Sequence, residues 1–356
     1  MKKRPVLNTF ILFFLFFELS SCAKVGYLWN QGLGQISLFS QGRKNRDILN
    51  DPKIPEEVKS KVRQIEKYKN YFYAYWKRES TRIYTETTIL DREAVTYLVI
   101  ASAFNEIKPK KECFPFMGCF PYLGFFSKKD AHIYANELES ENWVTYVRPV
   151  YAYSTLGYFE DNILSSFFQY NDKEMAEMIF HELFHTIFFI KGEVDFNEAL
   201  ASYFSKEMVI DFFKMGAQER KKMAKSSAKM KKMNEKIVVL TKKLNDSYKE
   251  KKFKEKAEAT QFFDNFMRSE FLPALVSTCT DLEIDNCYPA QRKWNNASLA
   301  AFLTYEKSGV SLEKLRGHLS LELKDFYRHI EREYKEYQKK KPKHTFSDQL
   351  FKPILN

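Results

Sequence analysis

The chain has 356 residues, 44% of them hydrophobic and 16% aromatic, which is enough apolar side chain to bury a sizeable core and excludes wholesale disorder. Its formal charge is +11, but much of the excess lies between Lys206 and Lys256 and in the tail Lys339, Lys340, Lys341 and Lys343. No helix-turn-helix, zinc-finger or aromatic RNA-binding signature interrupts those runs, so a solvated helical face is expected there and a nucleic-acid partner is not.

At the start, Lys2, Lys3 and Arg4 precede the apolar run Phe10 to Phe17, too short to span a bilayer, and residues 1–21 read as an export signal. The end of this segment, Leu19-Ser20-Ser21-Cys22, resembles a bacterial lipobox, in which cleavage leaves the cysteine as an acylated N-terminus. Glu18 departs from that pattern by placing a charge at the edge of the apolar core. The expectation is a lipoprotein of the cell envelope, held to the membrane through Cys22; Ala23 carries no obvious retention signal, which favours the outer membrane. An ordinary signal peptide or a short buried helix is the competing reading.

In an oxidising compartment the other four cysteines fall as two near pairs, Cys113 with Cys119 and Cys279 with Cys287. Two local disulfides are the simplest assignment, although four cysteines allow three connectivities. Neither pair is a Cys-x-x-Cys and neither has a histidine beside it, which argues against metal ligation.

A Gly-containing segment, Gly26 to Gly42, is followed by Asp51-Pro52 and Pro55, which place a helix start before Glu56; that helix runs to about Lys77. Ala94 to Ser102 is apolar and β-branched enough for a buried strand, Lys128 to Glu141 has helical spacing, and Val144 to Tyr151 returns to strand. Strand, helix, strand ahead of a further helix predicts an α+β fold with a small mixed sheet packed on that helix. From Asn197 the chain reads as helical to Leu275, breaks near Cys279 to Pro289, resumes from Asn295 to Glu306, and ends in one helix, Leu312 to Tyr337. We divide the mature chain into an α+β part at 22–160, a helix pair at 161–210 and a helical C-terminal part at 211–356.

The segment Ala176 to Ile190, AEMIFHELFHTIFFI, places His181 and His185 four residues apart, one turn on the same helix face, where two imidazoles can meet one metal ion. Glu182 between them projects where a general base takes the proton of an attacking water. A catalytic zinc needs a third protein ligand and one open position. Glu198, thirteen residues after His185, is the best candidate, because Lys191-Gly192 can end the first helix and Asp195 to Ala201 can open a second laid back across it. The alternative for Glu198 is a capping box with Asp195.

Several segments in one order resemble a known family: Cys113-Phe114-Pro115 through Gly118-Cys119, Ala152 to Phe159, Phe180 to His185, Phe196-Asn197-Glu198, Asn295-Asn296-Ala297 with Leu299-Ala300, and Thr304-Tyr305. The family is that of bacterial zinc-dependent aminopeptidases, often lipoproteins, grouped with the gluzincin-type, zincin-like peptidases. The resemblance implies that His181, His185 and Glu198 bind Zn2+ and that Glu182 is catalytic. Thermolysin-like gluzincins carry an Asp four positions after the glutamate ligand to orient a zinc histidine; Ser202 stands there instead, a weaker support.

Hydrolysis also calls for a hydroxyl donor to the tetrahedral oxyanion; Tyr305 is the first candidate and Tyr153 the second, since each lies in a family-like segment. Glu160 or Asp161 is a candidate to hold a free α-amino group. The expected function is therefore that of a zinc metallopeptidase at the envelope acting on peptides, an aminopeptidase by the resemblance. The competing class is a non-catalytic zinc-containing lipoprotein whose basic helices bind an anionic partner.

Overall fold

The computed structural model describes residues 26–114, 118–152, 160–305, 312–340 and 343–355. Cys22, Tyr153 and most of the Ala152 to Phe159 segment lie outside them. A helix at 26–40 (α1) occupies the Gly-containing stretch, for which the sequence predicts no element. Its Gly34 has a reason other than flexibility: a Cβ there would sit 2.2 Å from the Phe126 ring, so glycine permits the close approach. Strand β1 (Arg43–Lys44) and α2 (Asn45–Asn50) lead through Pro55 into the long helix α3 (Glu56–Trp76), which ends where Lys77 turns left-handed at φ 51°.

Five short strands follow, β2 (Glu86–Thr88), β3 (Thr96–Ser102), β4 (Glu112–Phe114), β5 (Gly118–Phe120) and β6 (Leu123–Phe125). Helix α4 (Lys128–Ser140) starts at Ser127, whose hydroxyl accepts from the Asp130 amide. Strands β7 (Val144–Val150) and β8 (Ile163–Leu164) then precede α5 (Asp172–Ile187) and α6 (Val194–Phe212). The C-terminal part is helical: α7 (Ala217–Lys251), α8 (Lys256–Phe266), a π-helical turn at Met267–Phe271, α9 (Leu272–Asp281), α10 (Tyr288–Gln291), α11 (Asn296–Tyr305), α12 (Leu312–Leu319), α13 (Leu323–Lys340) and α14 (Phe346–Leu355). The single last helix expected from Leu312 to Tyr337 is thus two, parted where Ser320 adopts φ 52°.

The fold is mixed α and β, with small sheets and a helical C-terminal part. The larger sheet, β6-β3-β7, is antiparallel, and a second three-stranded sheet, β1-β2-β8, pairs β2 with β8 in parallel. The period-two alternation of β3 explains where that larger sheet goes. Tyr97, Val99 and Ala101 point to α4, packing on Ala131, Ala135 and Leu138, while Leu98 and Ile100 point the other way to Ala297 and Ala301 of α11. Both faces are spent, so the expectation that this sheet packs on the motif helix is corrected: α5 lies chiefly against α6 and α3.

Two large cores result. The first gathers α3, α5, α6, α13 and α14 around aromatic rings, with Phe184 and Phe204 stacked at 4.7 Å and Trp76 against Tyr327 at 4.8 Å. The second is built on one stripe of α7, Met233, Ile237, Leu240, Leu244 and Tyr248, against α8, α9 and α11. Asn296 joins this core to the sheet: its carboxamide oxygen accepts from the Tyr248 hydroxyl at 3.1 Å, and its nitrogen donates to the carbonyls of Ala103 and Phe104 at 2.9 and 3.0 Å. Disulfides link Cys113 to Cys119 across the β4–β5 pair and Cys279 to Cys287 between α9 and α10.

Candidate metal centre

Helix α5 begins four residues before the motif region's first expected residue, at a capping box. The Asn171 carboxamide accepts from the amides of Lys173 and Glu174 at 3.0 and 3.1 Å, and the Glu174 carboxylate accepts from the Asn171 amide at 3.1 Å. From that start, Ile179, Phe180, Leu183 and Phe184 face the first core and carry His181 and His185 to its edge. After Ile187 the chain reverses through Gly192, at φ 88°, a conformation open to glycine because it has no Cβ.

Two polar contacts then hold the return. Asn197, 2% exposed, accepts from the Ile190 amide at 2.8 Å and donates to the Ile190 carbonyl at 2.7 Å, pinning the loop to α6. Glu193 accepts from the amides of Phe346 and Ser347 at 2.7 and 3.0 Å, so the same loop caps α14. The residue beside the Asn197 clamp is Glu198. The first turn of α6 has no side-chain cap, which removes the capping-box alternative.

The Glu198 carboxylate spans both imidazoles: one oxygen lies 3.1 Å from His181 Nε2 and the other 3.3 Å from His185 Nε2. The two Nε2 atoms are themselves 3.3 Å apart. Metal–donor bonds of about 2.0–2.1 Å at tetrahedral angles give donor separations of about 3.3–3.4 Å, so these three groups fit one four-coordinate ion and leave a position open. Two imidazoles and one carboxylate are also a donor set that suits zinc. Among the described residues, His181, His185 and Glu198 form the one group of three that could hold a metal ion.

The electrostatics follow the geometry. Burial opposes charging His181, but its hydrogen bond to Glu198 and the carboxylates of Glu182, Glu198 and Glu177 outweigh it and hold the imidazole above its ordinary pKa. Hydrogen bonds from His181 and His185 lower the Glu198 carboxyl to about 2. Glu177, one turn before His181, is raised by burial, with Lys206 and His181 opposing. Behind the site, Ser202 Oγ is 3.4 Å from His181 Nδ1. Nδ1 of His185 is buried and lacks a hydrogen-bond partner among the described residues.

Glu182, partly buried, follows His181 on α5. Tyr305 closes α11, and its side chain lies outside what the structure describes. Of the two amine-binding candidates, Glu160 is exposed and paired with Arg82 at 3.2 Å, whereas Asp161 is 5% exposed and its carbonyl accepts from the Tyr84 amide at 2.7 Å. Tyr84 was not a candidate from sequence. It is 1% exposed, its backbone is left-handed at φ 60°, and its hydroxyl has no hydrogen-bond partner among the described residues. Burial, then the Glu182 and Asp161 carboxylates, push its phenol well above the ordinary value. No spacing or motif marks it, because it comes from the segment between α3 and β2 and meets Glu182 only in the folded chain.

Fold and site together define an α+β protein with a two-histidine, one-glutamate group able to take a metal ion. The family model described as "Putative aminopeptidase" matches residues 26–345, and the chain belongs to that family. Its description supports a peptidase with a peptide substrate. No curated protein and no solved structure matches the chain.

Proposed function

We propose that the protein is a zinc-dependent peptidase of the cell envelope with a zincin-like active site, an aminopeptidase in preference to an endopeptidase. The observation that carries this reading is the 3.1–3.3 Å triangle of His181, His185 and Glu198 donor atoms with Glu182 next to one of them on α5. Zinc bound there would supply Lewis acidity and make a water acidic enough to attack a carbonyl at neutral pH.

The chain's own residues do the rest. Glu182 takes the proton from the attacking water and delivers it to the leaving amine nitrogen. Ser202 steadies the His181 ring through Nδ1, as a hydroxyl rather than a carboxylate. Tyr305 is proposed as the donor to the developing oxyanion, and Glu160 or Asp161 as the carboxylate for the substrate's α-amino group. Two disulfides suit an oxidising compartment and so favour export, with Cys22 as the lipid anchor.

Glu182→Gln tests the catalytic part. Hydrolysis of unblocked peptides is expected to fall by about 10²–10⁴-fold, with metal content and fold retained; undiminished hydrolysis would refute the role of Glu182. N-acetylated peptides are expected to resist the wild type, and their cleavage at a comparable rate would turn the reading to an endopeptidase.

A further inference from the structure

Between Lys24 and Arg43 the sequence holds no charged residue, and α1 fills most of that interval. One side of the helix is committed to the protein. The Tyr27 hydroxyl donates to the Gly124 carbonyl at 2.9 Å and its ring lies on Phe114 and Phe125; Gly34 abuts Phe126; Leu38 is 5% exposed. The other side carries Trp29, Leu33 and Ile36, which are 69%, 49% and 65% exposed. At about 100° per residue these three fall within about 60° of one another, opposite Tyr27, Gly34 and Leu38.

Isolated exposed apolar residues need no explanation, but three in register on an uncharged helix do. The occupant follows from where the chain comes from. Cys22 stands four residues before Gly26, so a lipid on it keeps the start of α1 within about 14 Å of the bilayer. Tryptophan in the stripe, with a basic residue at each end of the uncharged stretch, suits a helix lying in the headgroup and acyl boundary. At about 22 Å long, α1 lies along the membrane instead of crossing it, and no described helix is long and apolar enough to cross.

The geometry points to α1 as an interfacial helix, seated on a lipid bilayer through Trp29, Leu33 and Ile36. It would hold the folded chain in one orientation, which a lipid tether alone does not. This rests on the envelope reading but not on the zinc site.

The test uses the chain from Ala23, which carries no lipid and retains every described element, mixed with vesicles of phosphatidylethanolamine and phosphatidylglycerol. The expected result is sedimentation with vesicles and a blue shift of tryptophan emission, both weakened at least tenfold in the triple variant Trp29→Gln, Leu33→Gln, Ile36→Gln. Equal binding by variant and wild type, or none by either, would overturn the proposal. So would a dimer in the absence of vesicles that the triple variant abolishes, since the stripe would then be covered by a second copy. Radiolabelled palmitate incorporation in cells, lost in Cys22→Ala, reports on the envelope reading separately, and unchanged hydrolysis of soluble peptides by the triple variant keeps the stripe distinct from the metal centre.

Discussion

The two cores solve opposite problems with charge. The second, around α7, sits beneath much of the chain's positive excess, yet its lysines line the outer face while Met233, Ile237, Leu240, Leu244 and Tyr248 turn inward. At the edge of the first, two imidazoles and a carboxylate are held by an apolar helix pair, His185 with a side chain only 1% exposed. Abundant charge in solvent does little, whereas three polar groups placed at a desolvated edge are costly unless something pairs them. The contrast locates function by placement, not by composition.

The largest effect short of the ligands themselves should come from Asn197→Ala. It leaves the Ile190 amide and carbonyl without their side-chain partner in a buried loop, at a cost of about 2–4 kcal/mol, and frees Glu198 to swing. The Tm should drop by several degrees and metal affinity with it; a variant with unchanged Tm would mean the loop is held elsewhere.

A smaller effect concerns pH. His181 is raised above 6.5, so its contribution to the metal-free fold is complete below 6.5 and fades as pH climbs through the raised value. Glu198 is lowered from 4.5 to about 2, so its contribution is present above 4.5 and fades as pH falls toward 2. The pair therefore favours the metal-free protein most between 4.5 and 6.5. Metal binding must displace the imidazole proton, so the rise in Tm on adding zinc should grow from pH 6 to 8. A rise independent of pH would show that the bound ion does not compete with that proton.

The smallest effect should be on the basic face. Replacing Lys221, Lys222, Lys231 and Lys232, all exposed on α7, by Gln should move Tm by no more than about 2 °C and leave hydrolysis unchanged. A large loss of activity would break the contrast between the two regions and give the lysines a partner.

The site was legible where the chemistry is local. Histidines four apart share a helix face whatever surrounds them, and a glycine after the helix with a glutamate beyond it suggests a return stroke. Contacts that depend on distant segments were not legible: Tyr84 arrives from before β2, and the Asn197 clamp looks like part of a motif until Ile190 is seen beside it. The destination of β3 was missed because alternation says that a strand has two faces, not that Ala131 and Ala297 will cover them. Helix α1 was not foreseen in the Gly-containing stretch, where at least Gly34 serves a close contact with Phe126.

The most direct measurement is zinc content by elemental analysis of the chain from Ala23, purified in parallel as wild type and as Glu198→Ala. A centre built from His181, His185 and Glu198 requires close to one zinc per wild-type chain and a sharp loss in the variant. A wild type without metal, or a variant that keeps it, would contradict the assignment of His181, His185 and Glu198 as the centre.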